Sequence, residues 1–360
     1  MKSLRQVAGS LLIAGLEGPS LSPFERAWLK LIRPAGIILF RRNIENATQT
    51  RSLLKDASAY CADAHLRCVD LEGGLVDRLR DAVARQPSAQ AVARTGKPAL
   101  MQKHGELIAR ECLAFGFNTT LAPVLDLGLP TSASVMGSRA AAPDAAGVIE
   151  YTRAFLAGLT ARGITGCAKH FPGLGGGTLD SHHATPFIER TWKQLWSEDL
   201  ASYRALRKEL PMVMVSHAAY PKTRSGSSPA TASPFWVTTV LQRRIGYRGL
   251  VFSDDMEMGG ILKQMPIEEA VVSAVRAGMH LIEICHSPEL ILRAYESVLL
   301  EAERSAAFRK ILLARARSSA SLRARRFSAP SSRQLSATQL SALTAAVQNF
   351  ALTVESRQPK

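Results

Sequence analysis

The sequence lacks the features that mark several protein classes. No run approaches the ~18 consecutive apolar residues of a membrane-spanning helix, so we expect no membrane span. No GxGxxG or phosphate-binding loop follows the first apolar segment, which argues against a nucleotide-binding fold. The five cysteines are odd in number and scattered, without CxxC or Cys/His metal spacing. They are typical of buried free thiols in a reducing compartment.

Acidic residues are scarce in the last part of the chain, where much of the net charge of +15 accumulates. Few aromatic residues accompany this segment, although they form the stacking surface of many nucleic-acid-binding proteins. We interpret the basic residues as a solvated helix face and expect no nucleic-acid partner. They are Arg304, Arg309, Lys310, Arg315, Arg317, Arg323, Arg325, Arg326 and Arg333.

The N-terminus superficially resembles a signal peptide, with two early cations and a short apolar stretch. Gly9 and Gly15 interrupt that stretch, however, and no convincing small-x-small cleavage site follows it. We therefore interpret it as a first buried strand and expect a cytoplasmic protein.

Short apolar segments alternate with helix-length amphipathic segments along most of the chain. Apolar on both faces, the short segments are typical of parallel strands buried on both sides: Ser10–Leu16, Gly36–Phe40, Leu66–Leu71, Asn118–Val124, Gly166–Phe171, Met212–His217, Leu250–Ser253 and His280–Cys285. The intervening helical patterns include Gln102–Phe115, Ala145–Arg162, Trp192–Glu209 and Pro266–Ala277. This alternation predicts an α/β fold, and it favours a (β/α)8 TIM-type barrel rather than a doubly wound sheet. We predict one barrel domain over 1–330 and a helical tail over 331–360, with a helix at Ser336–Thr353.

Polar residues concentrate where the predicted strands end, and in a barrel these ends share one face. They are Asp70, Glu72, Asp126, Lys169, His170, His217, Asp254 and Asp255. Each alone is readily explained as a satisfied hydrogen-bonding residue. Together on one face they indicate an active site, because a charged group at the end of an apolar strand is costly unless it is paired or used.

The segment from Lys169 to Pro186 combines four glycines with a cluster of polar residues. Glycines provide hinges, so a mobile catalytic loop is favoured over a phosphate cradle, whose spacing is absent. Asp180 and His182 stand two residues apart, so the carboxylate could pair with the imidazole. Such pairing raises the pKa of the imidazole towards neutrality, which allows the imidazole to give and later take a proton. A zinc site made by His170, His182 and His183 is a weaker alternative, since the HExxH helix spacing is missing.

Several motifs in order resemble glycoside hydrolase family 3, in particular its single-domain β-N-acetylglucosaminidases of the NagZ type. The resemblance extends from about Leu11 to about Arg315. It is carried by VDLEGGLVDRLRD (69–81), LAPVLDLG (121–128), KHFPGLG followed by LDSHHATP (169–186), SHAAY (216–220), SPFWVTTVLQRRIGYRG (233–249) and VFSDDMEM (251–258).

The resemblance implies that Asp254 is the nucleophile, His182 the acid/base and Asp180 its partner. It further implies a sugar-binding set of Asp70, Arg78, Arg139, Lys169 and His170. The chain departs from the family pattern at Leu71, Leu75 and Asp77, around Arg139, and at Leu174, which replaces a common histidine.

The activity implied is retaining, exo-acting hydrolysis of terminal β-linked N-acetylglucosamine, without a metal or organic cofactor. The expected partner is a small N-acetylglucosamine-containing glycan or muropeptide from peptidoglycan turnover. Alternatives are another family 3 exo-glycosidase of the β-glucosidase or β-xylosidase type, a phosphorylase, or a non-catalytic sugar-binding barrel.

Overall fold

A computed structural model of the chain describes residues 3–177, 185–327 and 334–358. Eight parallel strands close into a barrel in which neighbours along the chain pair, and the last strand pairs with the first. The (β/α)8 prediction is therefore confirmed. In chain order the strands are β1 (Leu12–Gly15), β2 (Gly36–Leu39), β3 (Leu66–Val69), β4 (Thr119–Thr120), β5 (Thr165–Phe171), β6 (Met212–Val215), β7 (Leu250–Asp255) and β8 (Leu281–Ile284).

Helices surround the barrel: α1 (Leu4–Gly9), α2 (Pro23–Ile32), α3 (Ala47–Ser58), α4 (Ala89–Arg94), α5 (Pro98–Phe115), α6 (Ala145–Thr160), α7 (Trp192–Ser197), α8 (Asp199–Leu206), α9 (Gly259–Leu262), α10 (Ile267–Ala277), α11 (Pro288–Arg304), α12 (Ala306–Arg326) and α13 (Ala337–Glu355). A π-helical segment, Phe235–Arg244, connects β6 to β7. None of the helices in the described ranges is long and apolar enough to cross a membrane.

Two elements differ from the sequence prediction for local reasons. The predicted strand Asn118–Val124 shrinks to β4, because Pro123 has no N–H to donate to a ladder. The predicted helix Trp192–Glu209 is divided between α7 and α8 at Glu198, whose backbone departs from regular helical angles.

The strands separate two apolar layers, since successive side chains point to opposite faces. Ile13, Ile38 and Cys68 belong to a small cluster inside the barrel. Their neighbours Leu12, Ile37 and Val69 belong to the larger layer between barrel and helices. All five cysteines are buried free thiols, as the sequence predicts.

The C-terminal helix α13 contacts α4 and α5. Its buried side chains join the larger apolar layer: Leu343, Val347, Phe350 and Val354.

The interpretation of the basic segment as a solvated face is wrong for one residue of α12. Arg323 is 1% exposed, and its guanidinium donates to the carbonyls of Asp63 and Ala64. Among the other described basic residues of this segment, six are exposed: Arg304, Arg309, Lys310, Arg317, Arg325 and Arg326. Arg333 lies outside the described residues.

Candidate active site

The carboxyl ends of the barrel strands surround one cavity of about 410 Å³. Six of the eight predicted site residues line it: Asp70, Arg78, Arg139, Lys169, His170 and Asp254. The two remaining, Asp180 and His182, lie outside the described residues, as does His183 of the zinc alternative. Strand order thus brings together residues that are far apart in sequence.

One wall of the cavity is a buried network of two cations and two carboxylates. The Lys169 ammonium, at the end of β5, lies 2.8 Å from Asp70 Oδ1 and 2.7 Å from Glu72 Oε1. Arg139 binds Glu72 with both Nε (2.9 Å) and Nη2 (2.8 Å), in a bidentate pair. Arg78 lies farther out, with Nη2 3.5 Å from Asp70 Oδ2. Such charge-assisted, forked contacts fix the orientation of every member.

The network determines the ionisation of its own members. Burial alone would raise the pKa of both carboxyl groups, but the opposing cations outweigh it. Lys169 and Arg78 hold the pKa of Asp70 well below its usual range, and Arg139 and Lys169 lower the pKa of Glu72 to about 2. Burial would likewise lower the pKa of Lys169, yet Asp70 and Glu72 raise it above its usual value. All four groups are therefore charged near neutral pH.

The imidazole of His170 is held by Asp126, which follows β4. Asp126 Oδ2 lies 2.6 Å from His170 Nδ1 and also accepts the backbone N–H of His170. The other oxygen, Oδ1, accepts the N–H of Leu174 at 2.7 Å. Since Nδ1–H donates to the carboxylate, Nε2 is left toward the cavity, 3.5 Å from Arg139 Nη2.

Asp254 lies at the end of β7 and faces the same cavity. Its Oδ1 accepts the backbone N–H of Asp255 at 3.0 Å, which restrains the side chain beside its own strand. His217 contacts this strand end. Its Nε2 lies 2.9 Å from the Asp255 carbonyl oxygen, and its Nδ1 lies 2.9 Å from Thr231 Oγ1. Burial lowers the pKa of His217, so the neutral imidazole donates to the carbonyl through Nε2–H.

Asp255 and Ser253 orient the neighbouring backbone. Asp255 Oδ1 accepts the N–H groups of Glu257 and Cys285, and Ser253 Oγ accepts the N–H of Glu283. Neither caps a helix, because α9 begins only at Gly259. Asp254 is thus held by a rigid strand end whose other polar groups are already engaged.

The cavity lining also includes residues that sequence reasoning did not single out, among them Phe40, Arg42, Glu283 and His286. Arg42 donates to the carbonyls of Leu16 (2.9 Å) and Cys285 (2.6 Å), and its guanidinium lies 5.0 Å from the Phe40 ring centroid. Only Glu283 carried a sequence signal: it interrupts an otherwise apolar strand, where a charge is costly.

Within the described residues, one group has the spacing to hold a cation: Asp255, Glu257 and His286, whose ligand atoms lie within 4.8 Å of one another. Its geometry is explained by ion pairing. Contacts with Asp255 and Glu257 raise the pKa of His286 to about 9, and its Nδ1 lies 2.9 Å from Glu257 Oε2. A metal ion would first have to displace the proton that this pairing favours.

The departures from the family pattern have different structural consequences. Asp77 is buried and accepts the N–H groups of Leu79 and Gln86, so it holds the loop after β3 together. Leu71 is fully buried and Leu174 is 6% exposed. Leu75, in contrast, is 63% exposed on the same loop, where an apolar side chain faces outward.

Residues 3–310 match the Glycosyl hydrolase family 3 N terminal domain. The chain belongs to this family. It is 33% identical over 309 residues to a beta-hexosaminidase of Stenotrophomonas maltophilia (strain R551-3), covering 84% of this chain and 91% of that protein. It is 36% identical over 287 residues to a beta-hexosaminidase of Alkalilimnicola ehrlichii, covering 78% and 82%.

Solved structures of this family share the fold. A family 3 beta-N-acetylglucosaminidase from Paenibacillus sp. str. FPU-7 has a TM-score of 0.86 at 29% identity, over 98% of this chain and 69% of that one. NagZ from Neisseria gonorrhoeae in complex with N-trifluoroacetyl-D-glucosamine has a TM-score of 0.78 at 26% identity, over 98% of both chains. The chain is therefore a glycoside hydrolase acting on a carbohydrate, and both the predicted family and the predicted enzyme class are confirmed.

Proposed function

We propose that the protein is a retaining, exo-acting β-N-acetylglucosaminidase whose nucleophile is Asp254. One observation supports this most: a carboxylate on a rigid strand end faces the wall formed by Lys169, Asp70 and Arg139 across a cavity of about 410 Å³. That volume is within the range of small-ligand sites. The relatives named beta-hexosaminidase, and the neighbour solved with N-trifluoroacetyl-D-glucosamine, favour N-acetylglucosamine as the sugar.

The proposed reaction has two displacements at the anomeric carbon. The Asp254 carboxylate attacks this carbon as the glycosidic C–O bond breaks, and His182 gives its proton to the leaving oxygen. In the second step His182 takes a proton from water, the hydroxide oxygen bonds to the anomeric carbon, and Asp254 leaves. Two inversions give net retention. Asp180 would keep the His182 imidazole in the required tautomer.

The anchoring of Thr185 supports the assignment of His182 as acid/base. Thr185 follows His182 by three residues, and its Oγ1 donates to the carbonyl of Gly260 at 2.7 Å. Gln264 Nε2 also donates to Thr185 Oγ1, at 3.0 Å. Gly260 is in α9, directly after the β7 strand end. This contact fixes Thr185 beside the segment that follows β7, and it is consistent with an acid/base supplied from the preceding loop.

The sugar would be held by the network wall. Lys169 and Arg139 present N–H donors, and Asp70 presents a carboxylate acceptor, a combination that matches the hydroxyl groups of a pyranose. Because the cations and carboxylates already fix one another, the wall is preorganised before the sugar binds. We include His170 and Arg78 in the same binding set.

The setting in peptidoglycan turnover, which rests on the resemblance, also belongs to the proposal. So does a cytoplasmic location, which rests on the N-terminal and cysteine patterns of the sequence. We further propose 1–330 as the catalytic domain and 331–360 as a tail that packs on it. Another family 3 exo-glycosidase or a phosphorylase is the competing function, to be distinguished by the sugar cleaved and by dependence on inorganic phosphate.

The first experiment is a panel of aryl β-glycosides (N-acetylglucosaminide, glucoside and xyloside) with and without phosphate. The proposal expects the N-acetylglucosaminide to be cleaved fastest, independently of phosphate. A fluorinated N-acetylglucosaminyl inactivator should then label Asp254, as located by peptide mass spectrometry. Labelling of another carboxylate, or preference for a different sugar, would overturn the assignment.

Replacement of the two reacting groups tests the mechanism. Asp254→Asn should nearly abolish turnover, since an amide is a poor nucleophile. His182→Ala should reduce kcat/KM by roughly 10²–10⁴-fold on a substrate with a poor leaving group. The loss should be smaller on a dinitrophenyl glycoside, whose departure needs no proton. Wild-type rates in both variants would contradict the mechanism.

A further inference from the structure

Glu283 is an acid placed where the barrel core would ordinarily be apolar. It belongs to β8, and side chains on alternate residues of a strand share one face. Leu281 and Cys285, two residues away on either side, are part of the apolar cluster inside the barrel. Glu283 therefore points into the barrel, where it lines the cavity beside Leu121 and Met214.

The Glu283 carboxyl group is buried without compensation. The residue is 2% exposed, and among the described residues nothing forms a hydrogen bond with its Oε1. Most charged groups that act on it are carboxylates: Asp255 and Asp254 on β7, and Asp70 after β3. Lys169 on β5 is the cation among the largest influences, and it is already bonded to Asp70 and Glu72.

These surroundings favour the un-ionised form of the group. Burial raises the pKa of Glu283 well above its ordinary value, and the neighbouring carboxylates raise it further. An un-ionised carboxyl group has one O–H donor and retains acceptor capacity. With Oε1 unpartnered, part of that capacity is unused in the protein alone.

A leucine at this position would fill the barrel without leaving a polar atom unsatisfied. A buried polar group that lacks a partner destabilises a protein, so its presence in a substrate cavity indicates a use in binding. We propose that Glu283 is a sugar-binding residue in the cavity, where its carboxyl group exchanges hydrogen bonds with a ring hydroxyl of the bound sugar. This inference rests on the proposed function only in placing the sugar in this cavity.

The test compares Glu283→Leu and Glu283→Gln with a matched buried acid. Glu111 is fully buried on α5, also has an unpartnered Oε1, and lies outside the cavity lining, where Gln86 Nε2 donates to its Oε2 at 2.7 Å. KM and kcat are measured on whichever aryl glycoside the wild-type enzyme hydrolyses best, sugar affinity by calorimetry, and Tm by circular dichroism.

We expect Glu283→Leu to raise KM and weaken sugar binding roughly three- to tenfold, the worth of one hydrogen bond. Its Tm should equal or exceed that of wild type. Glu283→Gln should retain most of the affinity, because an amide also donates and accepts. Glu111→Leu should lower Tm and leave KM unchanged.

Wild-type sugar affinity and KM in Glu283→Leu would overturn the inference. A fall in its Tm with an unchanged KM would overturn it as well, since that pattern marks a purely structural residue. Failure of the proposed function gives a different result: Asp254→Asn would retain activity, or the inactivator would label a residue other than Asp254. The Glu283 comparison does not depend on that result, because it uses whichever sugar the wild-type enzyme hydrolyses.

Discussion

Replacing Arg139 with methionine should destabilise the protein through the carboxylate that it leaves behind. Glu72 is 4% exposed, and Arg139 supplies two of the three charged hydrogen-bonding contacts to its oxygens, at 2.9 and 2.8 Å. Breaking a buried ion pair by removing one partner costs about 3–5 kcal/mol.

The matched control is Arg153→Met on the surface. Arg153 makes the same forked contact with Glu209, at 2.9 and 3.0 Å, but its side chain is 54% exposed. Exposed pairs contribute about 0–1 kcal/mol. Urea unfolding at pH 7, followed by circular dichroism, should therefore separate the two variants by at least about 2 kcal/mol.

The pH dependence provides an independent check. Because the folded-state pKa of Glu72 lies below its unfolded value, the paired carboxylate stabilises the protein fully above pH 4.5 and progressively less as the pH falls toward about 2. The penalty of Arg139→Met should shrink over the same window. Equal penalties for the two arginine variants, or an Arg139 penalty that is unchanged at pH 3, would refute the reasoning.

Two further predictions concern the support of the site and the tail. Asp126→Asn removes the charge that holds His170 Nδ1–H at 2.6 Å and one of the two acceptor oxygens, so kcat/KM should fall about 10- to 100-fold and Tm should fall as well; a wild-type kcat/KM would contradict that positioning role. Phe350→Ala should cost about 3–5 kcal/mol of unfolding free energy, since Phe350 is 6% exposed against the barrel helices. Leu352→Ala, at a side chain 62% exposed on the same helix, should change it by less than about 0.5 kcal/mol; equal effects would show that the tail does not pack as described.

The fold was predictable because the barrel has strong local signals. Apolar segments such as Met212–His217 and Leu250–Ser253 alternate with amphipathic helices, and parallel strands require that alternation. The ends of individual strands and helices were less predictable where a single residue determines them. Pro123 shortened a strand and Glu198 divided a helix.

The membership of the cavity was largely predictable, whereas its pairings were not. Lys169 and Asp254 end strands, and the carboxyl ends of barrel strands share a face. That Arg139 would bind Glu72, 67 positions earlier, depends on how two loops pack and has no sequence period. Arg323 was misjudged for the same reason, because its carbonyl partners lie about 260 positions away in the chain.

The charge distribution explains how one cavity can both bind a sugar and supply a nucleophile. Lys169 and Arg139 balance Asp70 and Glu72, so these four groups present many hydrogen-bonding atoms with no net charge among them. A wall with excess positive charge would attract Asp254 into an ion pair and weaken its nucleophilicity. Instead, Asp254 Oδ1 accepts a backbone N–H from its own strand end. Each cation of the wall is thereby occupied by a carboxylate that does not react, and the carboxylate proposed to react stays available to the sugar.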